Sequence, residues 1–273
     1  MRTSRVLIST FMVALPASSV AANDFDLYGG ASPDLVAPKQ GPGIIVELGL
    51  GVGVEPAYEG ASDYTVVFSP IVEVEKLTIP GLINVNKTRG GLSISPAMDF
   101  VSERISGDHD WLAGLNDVDA TYAPGVRIGY EMELTDGLSG ELYAKLQYAF
   151  GGAEDFLGAV GANLSWRLTP QLTLTGGPAL SFAGDDYMNT YFGVTADESN
   201  ATGGRLAAYQ AEGGPKSASL SVSAKYEIIT DTFVTLSASY RQLLGSAADS
   251  PIVEEESQFT VGLGLSRRFS LGY

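Results

Sequence analysis

The sequence predicts an all-β fold: a transmembrane antiparallel up-and-down β-barrel of about twelve strands, within a range of ten to fourteen. Three observations predict it. Between Lys216 and Tyr273 the chain runs through three stretches of two-residue alternation, it ends on an aromatic residue, and its first residues have the make-up of an export signal. A strand sends successive side chains to opposite faces. Strands of about ten residues with one lipid-compatible and one polar face are what an outer-membrane barrel requires.

At the start, Arg2 and Arg5 form a short basic segment, Val6–Leu15 is mostly apolar, and Ser19, Val20, Ala21 and Ala22 offer small residues for cleavage. Residues 1–22 are therefore expected to be a signal peptide cleaved near Ala22. The apolar stretch is short of the roughly 20 residues of a spanning helix. Removing it takes two arginines and no acids, moving the net charge from −16 to −18. Residues 23–42, rich in Gly, Pro, Ala and Asp and without a period, are expected to be a periplasmic lead-in, and residues 43–273 the barrel.

The alternation begins with Ile44, Val46, Leu48, Leu50, Val52 and Val54 against Ile45, Glu47, Gly49, Gly51, Gly53 and Glu55. Pro56–Gly60 then turns the chain. Phe68, Pro70, Val72 and Val74 oppose Ser69, Glu73 and Glu75, and Leu92, Ile94, Pro96, Met98 and Phe100 oppose Ser93, Ser95 and Asp99. Further runs follow at Val126–Leu134, Glu141–Phe150, Val160–Leu168, Leu172–Phe182, Ser217–Ile228, Val234–Arg241 and Phe259–Tyr273. The last is interrupted on its apolar face only by Arg267. Ile79–Asn86, which contains Pro80 and Gly81, and the short Tyr187–Val194 complete the count of twelve. Gly204–Glu212 is either another strand or part of a surface loop.

Thr135-Asp136-Gly137, Thr169-Pro170 and Thr230-Asp231 read as compact hairpin turns. Longer polar segments lie at Ser102–Asp119, Thr195–Gly203 and Gly245–Ser257. Bacterial barrels carry short periplasmic turns and longer external loops. Counted back from a periplasmic C-terminus, Gly245–Ser257 is external, yet twelve strands would put Ser102–Asp119 on the periplasmic side. Aromatics such as Tyr148, Trp166, Tyr226, Tyr240, Phe259 and Phe269 fall towards the ends of the apolar registers, as interfacial belts require.

The acidic balance, 32 Asp and Glu against 16 Lys and Arg, argues against a nucleic-acid partner. No cysteine is present, so disulfides and thiolate metal sites are excluded. The single histidine, His109, sits in Gly107-Asp108-His109-Asp110-Trp111, where an Asp–His pair near a rim could activate water. Nothing in the sequence supplies the positioned partner and substrate site that base catalysis needs, and a solvated loop tip is the preferred reading. Asp185-Asp186 and Glu254-Glu255-Glu256 could hold divalent cations but lack the spacing of a calcium loop, so they too read as solvated charge. No catalytic, cofactor-binding or metal-ligating residue is assigned, and no cofactor is expected.

The inward registers are more informative. Glu47, Glu55, Glu73, Glu75, Asp99, Glu131, Glu133, Glu141 and Glu227 share the interior with Arg127, Lys145, Arg167, Lys225, Arg241 and Arg268. Both signs in a confined lumen suggest a cross-braced ion-pair network, with a narrow water-filled channel as the rival reading.

Three local sequences resemble the MipA/OmpV family of outer-membrane proteins (the MltA-interacting protein family). They are Pro56-Ala57-Tyr58-Glu59-Gly60-Ala61-Ser62-Asp63-Tyr64 followed by Pro70; Tyr187 and Tyr191–Val194 with Gly203–Leu206 and Tyr209; and Tyr240–Gly245 with Ala248–Ile252 and Ser266–Phe269. The extension Ser270–Tyr273 departs from the family's usual terminal Phe, leaving Phe269 and Tyr273 as rival assembly-signal aromatics. The resemblance implies a place in outer-membrane lipid. It also implies, for some members, a non-enzymatic scaffold linking that membrane to murein synthesis, with a lytic transglycosylase and a penicillin-binding protein as partners. Other relatives are associated with osmotic response, adhesion or antibiotic uptake.

Overall fold

The computed structural model describes residues 43–79, 83–86 and 91–272. The expected signal peptide, the lead-in, Pro80, Gly81 and Tyr273 lie outside the described residues. Eleven strands follow one another: β1 (Gly43–Pro56), β2 (Tyr64–Ile79), β3 (Ile83–Asn86), β4 (Gly91–Val101), β5 (Thr121–Thr135), β6 (Leu138–Gly151), β7 (Asp155–Arg167), β8 (Leu172–Ala183), β9 (Gly214–Ile229), β10 (Thr232–Leu243) and β11 (Ser257–Gly272). Three short helices, α1 (Asp185–Phe192), α2 (Ala196–Ala201) and α3 (Gly245–Ala248), lie between late strands.

Each strand pairs antiparallel with its sequence neighbour from β4 to β11, and β11 then pairs with β1 from Gly43↔Gly272 to Val54↔Val261, joining the first and last described strands. β2 and the four-residue β3 complete the sheet. This is an up-and-down β-barrel wall. Its faces are inverted relative to a water-soluble protein: Leu50 is 73% and Phe68 66% exposed, whereas Glu47 and Glu55 are 2% and 1% exposed. The outward register carries the apolar side chains expected from the alternation, and hydrocarbon is the solvent that suits them. Tyr122 sits 5.0 Å from Phe100 and 5.9 Å from Phe150, and Tyr240 sits 5.0 Å from Phe259, forming an outward aromatic belt below one rim.

The twelve segments counted from sequence resolve into ten full-length strands, the short β3 and one helix. Tyr187–Val194, expected as a strand, forms most of α1. Its buried Tyr187, Met188, Tyr191 and Phe192 recur at helical rather than two-residue spacing. Gly204–Glu212 is loop, held by an isolated bridge between Tyr209 and Val194 and by hydrogen bonds to Asn189 and Ser246. With that helix in place the parity conflict disappears. The segments after β4, β8 and β10 all lie at one end, and the tight turns at Gly137 (φ 78°) and Asp231 (φ 59°) at the other. By the rule of short periplasmic turns, the long-loop end faces outside.

Candidate functional site

The apolar core of the molecule sits in that external mouth. Inward residues at the strand ends, Val101, Ala123, Ala149, Leu157, Ala183 and Leu243, surround α1, whose Tyr187, Met188 and Phe192 are fully buried. A second cluster of Tyr58, Ala61, Leu112, Leu115, Leu206 and Ile252 knits the loops above it. The loops thus form a folded cap, with α1 as its plug.

The plug is fastened at both ends. At its N-terminus the Asp155 carboxylate accepts from the N–H groups of Asp186 (2.9 Å) and Tyr187 (3.4 Å), a cap supplied by β7 rather than by the helix itself. At its C-terminus the guanidinium of Arg104 donates to the carbonyls of Tyr191 (2.8 Å) and Thr190 (3.4 Å), and the Ser250 hydroxyl to that of Phe192 (2.6 Å). A cation at a helix C-terminus also suits the helix dipole. Burial pulls the Arg104 pKa down from its ordinary value. Next along the chain, Thr195 and Glu198 close a capping box on α2. Burial works to raise the Glu198 pKa, but hydrogen bonds from the Asn116 N–H and from the N–H and hydroxyl of Thr195 outweigh it and hold the carboxyl below the usual range.

The turn after β1 supplies the lock. Lys216 Nζ donates to Glu59 Oε1 at 2.9 Å, the Arg241 guanidinium approaches the same oxygen at 3.4 Å, and the Tyr187 hydroxyl reaches Glu59 Oε2 at 3.5 Å. The Lys216 ammonium also lies 4.9 Å from the centre of the Tyr187 ring. Lys216 is 0% and Glu59 6% exposed, so this charge cluster is held inside the mouth. Beside it, the Tyr58 hydroxyl donates to Glu254 Oε1 at 2.7 Å. Burial first, and then that carboxylate, push the Tyr58 phenol far above its ordinary pKa. Gly60, at φ 96°, presents its carbonyl to the N–H groups of Glu254 (2.7 Å) and Glu255 (3.0 Å).

Below the plug the lumen charges pair between neighbouring and nearby strands. Glu47 accepts from Lys225 (2.7 Å) and from the Ser266 hydroxyl (2.6 Å), and Lys225 lies 3.8 Å from Glu73. Arg127 meets Glu141 at 2.7 Å and lies over the Tyr143 ring at 3.7 Å, and Lys145 meets Asp99. Arg268 sits 3.6 Å from Asp231, and Glu227 accepts from the Asp231 N–H at the lower turn. Arg241, expected in this network, belongs instead to the mouth cluster, and Glu133 is exposed.

The loop residues singled out from sequence have structural partners. His109 packs edge-on to Tyr58, ring centres 5.3 Å apart, while Asp108 and Asp110 face solvent. Asp185 accepts from the Gly213 N–H, and Glu256 from the Gln242 side-chain amide. Sequence reasoning did not single out Asp155, Arg104 or Lys216. Glu59 stood inside a quoted motif without an assigned role.

Residues 48–269, from β1 to β11, match the family described as MltA-interacting protein MipA. The putative outer membrane protein YiaT of Escherichia coli (strain K12) is 31% identical over 101 residues, 36% of this chain, and the aligned part spans only 39% of that protein. Among solved structures, an outer membrane channel from Pseudomonas putida F1 superposes with a TM-score of 0.45 at 12% identity, covering 86% of this chain and 100% of that one. The NanC porin superposes with a TM-score of 0.38 at 12% identity, covering 82% and 98%. With the family match running through the strands, the turn after β1 that carries Glu59, the α1 plug and the loop before β11, the chain belongs to the MltA-interacting protein MipA family.

Proposed function

We propose that this outer-membrane barrel is a non-enzymatic scaffold, closed to solute flow, whose periplasmic end meets murein-synthesis or lytic enzymes. One observation carries the reading: the mouth is filled by α1 and by the buried Glu59–Lys216–Arg241 cluster, with paired lumen charges beneath. A filled interior leaves exposed turns and cap surfaces as the working parts. The family's description as MltA-interacting supports a partner of the lytic class. The polar lumen keeps a narrow small-solute channel as the second reading.

Two measurements separate them. Pure protein in planar bilayers is expected to give no steady single-channel steps, and regular steps would favour the channel. Crosslinking in intact envelopes is expected to recover a lytic transglycosylase or a penicillin-binding protein. Recovery of no murein enzyme would remove the scaffold reading.

A further inference from the structure

Among the described residues, the ladder partners of β2 are β1 and, at its lower end, β3, while β4 pairs with β5 alone. The upper part of β2 and the whole of β4 are therefore the two edges of the sheet. Hydrocarbon does not tolerate an open edge, because unpaired N–H and C=O groups there have no water to turn to. The two edges fit each other. β3 pairs with Lys76–Ile79, leaving Tyr64–Glu75 above it, twelve residues against the eleven of β4. Setting Thr65 against Val101 and Glu75 against Gly91 gives antiparallel strands whose exposed residues coincide: Phe68 on β2 with Met98 on β4, and Val72 with Ile94, while Val66 meets the half-buried Phe100. An odd offset would turn one apolar face inward.

This register places Pro70 opposite Pro96, and the prolines agree with its parity. Pro124 is paired in register with Met98 on its β4 side, while the β5–β6 ladder skips Ala123 and Pro124. Pro178 is paired with Leu220 on its β9 side, while the β7–β8 ladder skips Gly177 and Pro178. Each of these prolines interrupts the neighbour towards which its missing donor points. Pro70 pairs without interruption with Leu50 of β1, and Pro96 with Val126 of β5. Their missing donors therefore point away from those strands, towards the open edges.

We propose that β2 and β4 pair as the seam of the barrel, with Pro70 facing Pro96, and that this ladder is where the wall parts laterally. At its centre two carbonyls face each other with no donor between them. The seam thus lacks both donors of one hydrogen-bonded pair, whereas the β5–β6 and β7–β8 ladders each lose the donor of a single proline.

The absence of native cysteine makes the test direct. A Ser69→Cys, Ala97→Cys double variant, folded in outer membranes and mildly oxidised, is expected to form an intramolecular disulfide, whereas Ser69→Cys with Ser93→Cys stays reduced. Phe68→Cys with Met98→Cys gives a second, lipid-facing pair should the first fail to fold. Equal oxidation of the control, a disulfide-linked dimer, or no bond in either in-register pair overturns the pairing. Amides of β2 and β4 are expected to exchange hydrogen about tenfold faster than those of β6 and β7, and Pro70→Val with Pro96→Val to erase the difference. Equal protection in the parent protein overturns the parting.

Discussion

Glu59 and Lys216 lie 157 residues apart in sequence yet meet at 2.9 Å inside the barrel mouth. Glu59 is bonded to both Lys216 and Arg241 there. Glu59→Ala is expected to destabilise the barrel by about 3–5 kcal/mol, because two cations are left buried beside an uncharged side chain. Glu59→Gln keeps a hydrogen-bond acceptor and should cost less. Urea titration followed by the boiled-versus-unboiled gel shift checks both, and an Ala variant within about 0.5 kcal/mol of the parent would refute the lock.

Arg104 holds the C-terminal carbonyls of the plug. Arg104→Ala is expected to leave the strands intact and to loosen α1 by about 1–3 kcal/mol, the cost of stranding a buried hydrogen-bonding partner. Faster protease cleavage within residues 184–213 of folded protein is the expected readout, together with transient conductance steps in planar bilayers.

Acid should loosen the cap. Glu198 titrates lower in the folded protein than its unfolded value of about 4.3. Asp117 is likewise depressed, first by the Ser106 N–H and then by the Ser106 hydroxyl. A depressed carboxylate contributes stability that is fully present above its unfolded pKa and is lost as pH falls through the folded one. Cleavage within the cap is therefore expected to stay flat from pH 7 to about 5 and to rise below about 4. Glu198→Gln should raise cleavage at pH 7 and flatten that dependence.

Gly60 combines a positive φ of 96° with Val253 Cγ2 only 2.6 Å from where a Cβ would sit. Gly60→Ala is expected to cost about 1–3 kcal/mol and to displace the loop before β11. Loss of the Tyr58–Glu254 contact would appear as a more exposed Tyr58 in ultraviolet difference spectra.

Alternation exposed the lipid face because a two-residue period is local and the solvent it answers to is uniform. Leu48, Leu50, Val52 and Val54 are all outward, as that period demands. The pairing of interior charges was legible as a principle, and Glu47–Lys225, Asp99–Lys145 and Arg127–Glu141 realise it. The mouth was not legible. Tyr187–Val194 is too short for its helical spacing to stand out from a strand, and its caps come from Asp155, Arg104 and Ser250, distant in sequence. Glu59 lay within a conspicuous turn, yet its counter-ions belong to strands formed by the last third of the chain.

Glu47 on β1 is bonded to Lys225 on β9 and Ser266 on β11, separations of 178 and 219 residues. An early-synthesised carboxylate therefore stays hydrated until the final hairpin is delivered, and only then does its desolvation become favourable. Contacts of such range form slowly. Completion of the chain and drying of the interior are thus one event, so a product cut short before its last strand would carry a stranded charge that resists entry into lipid.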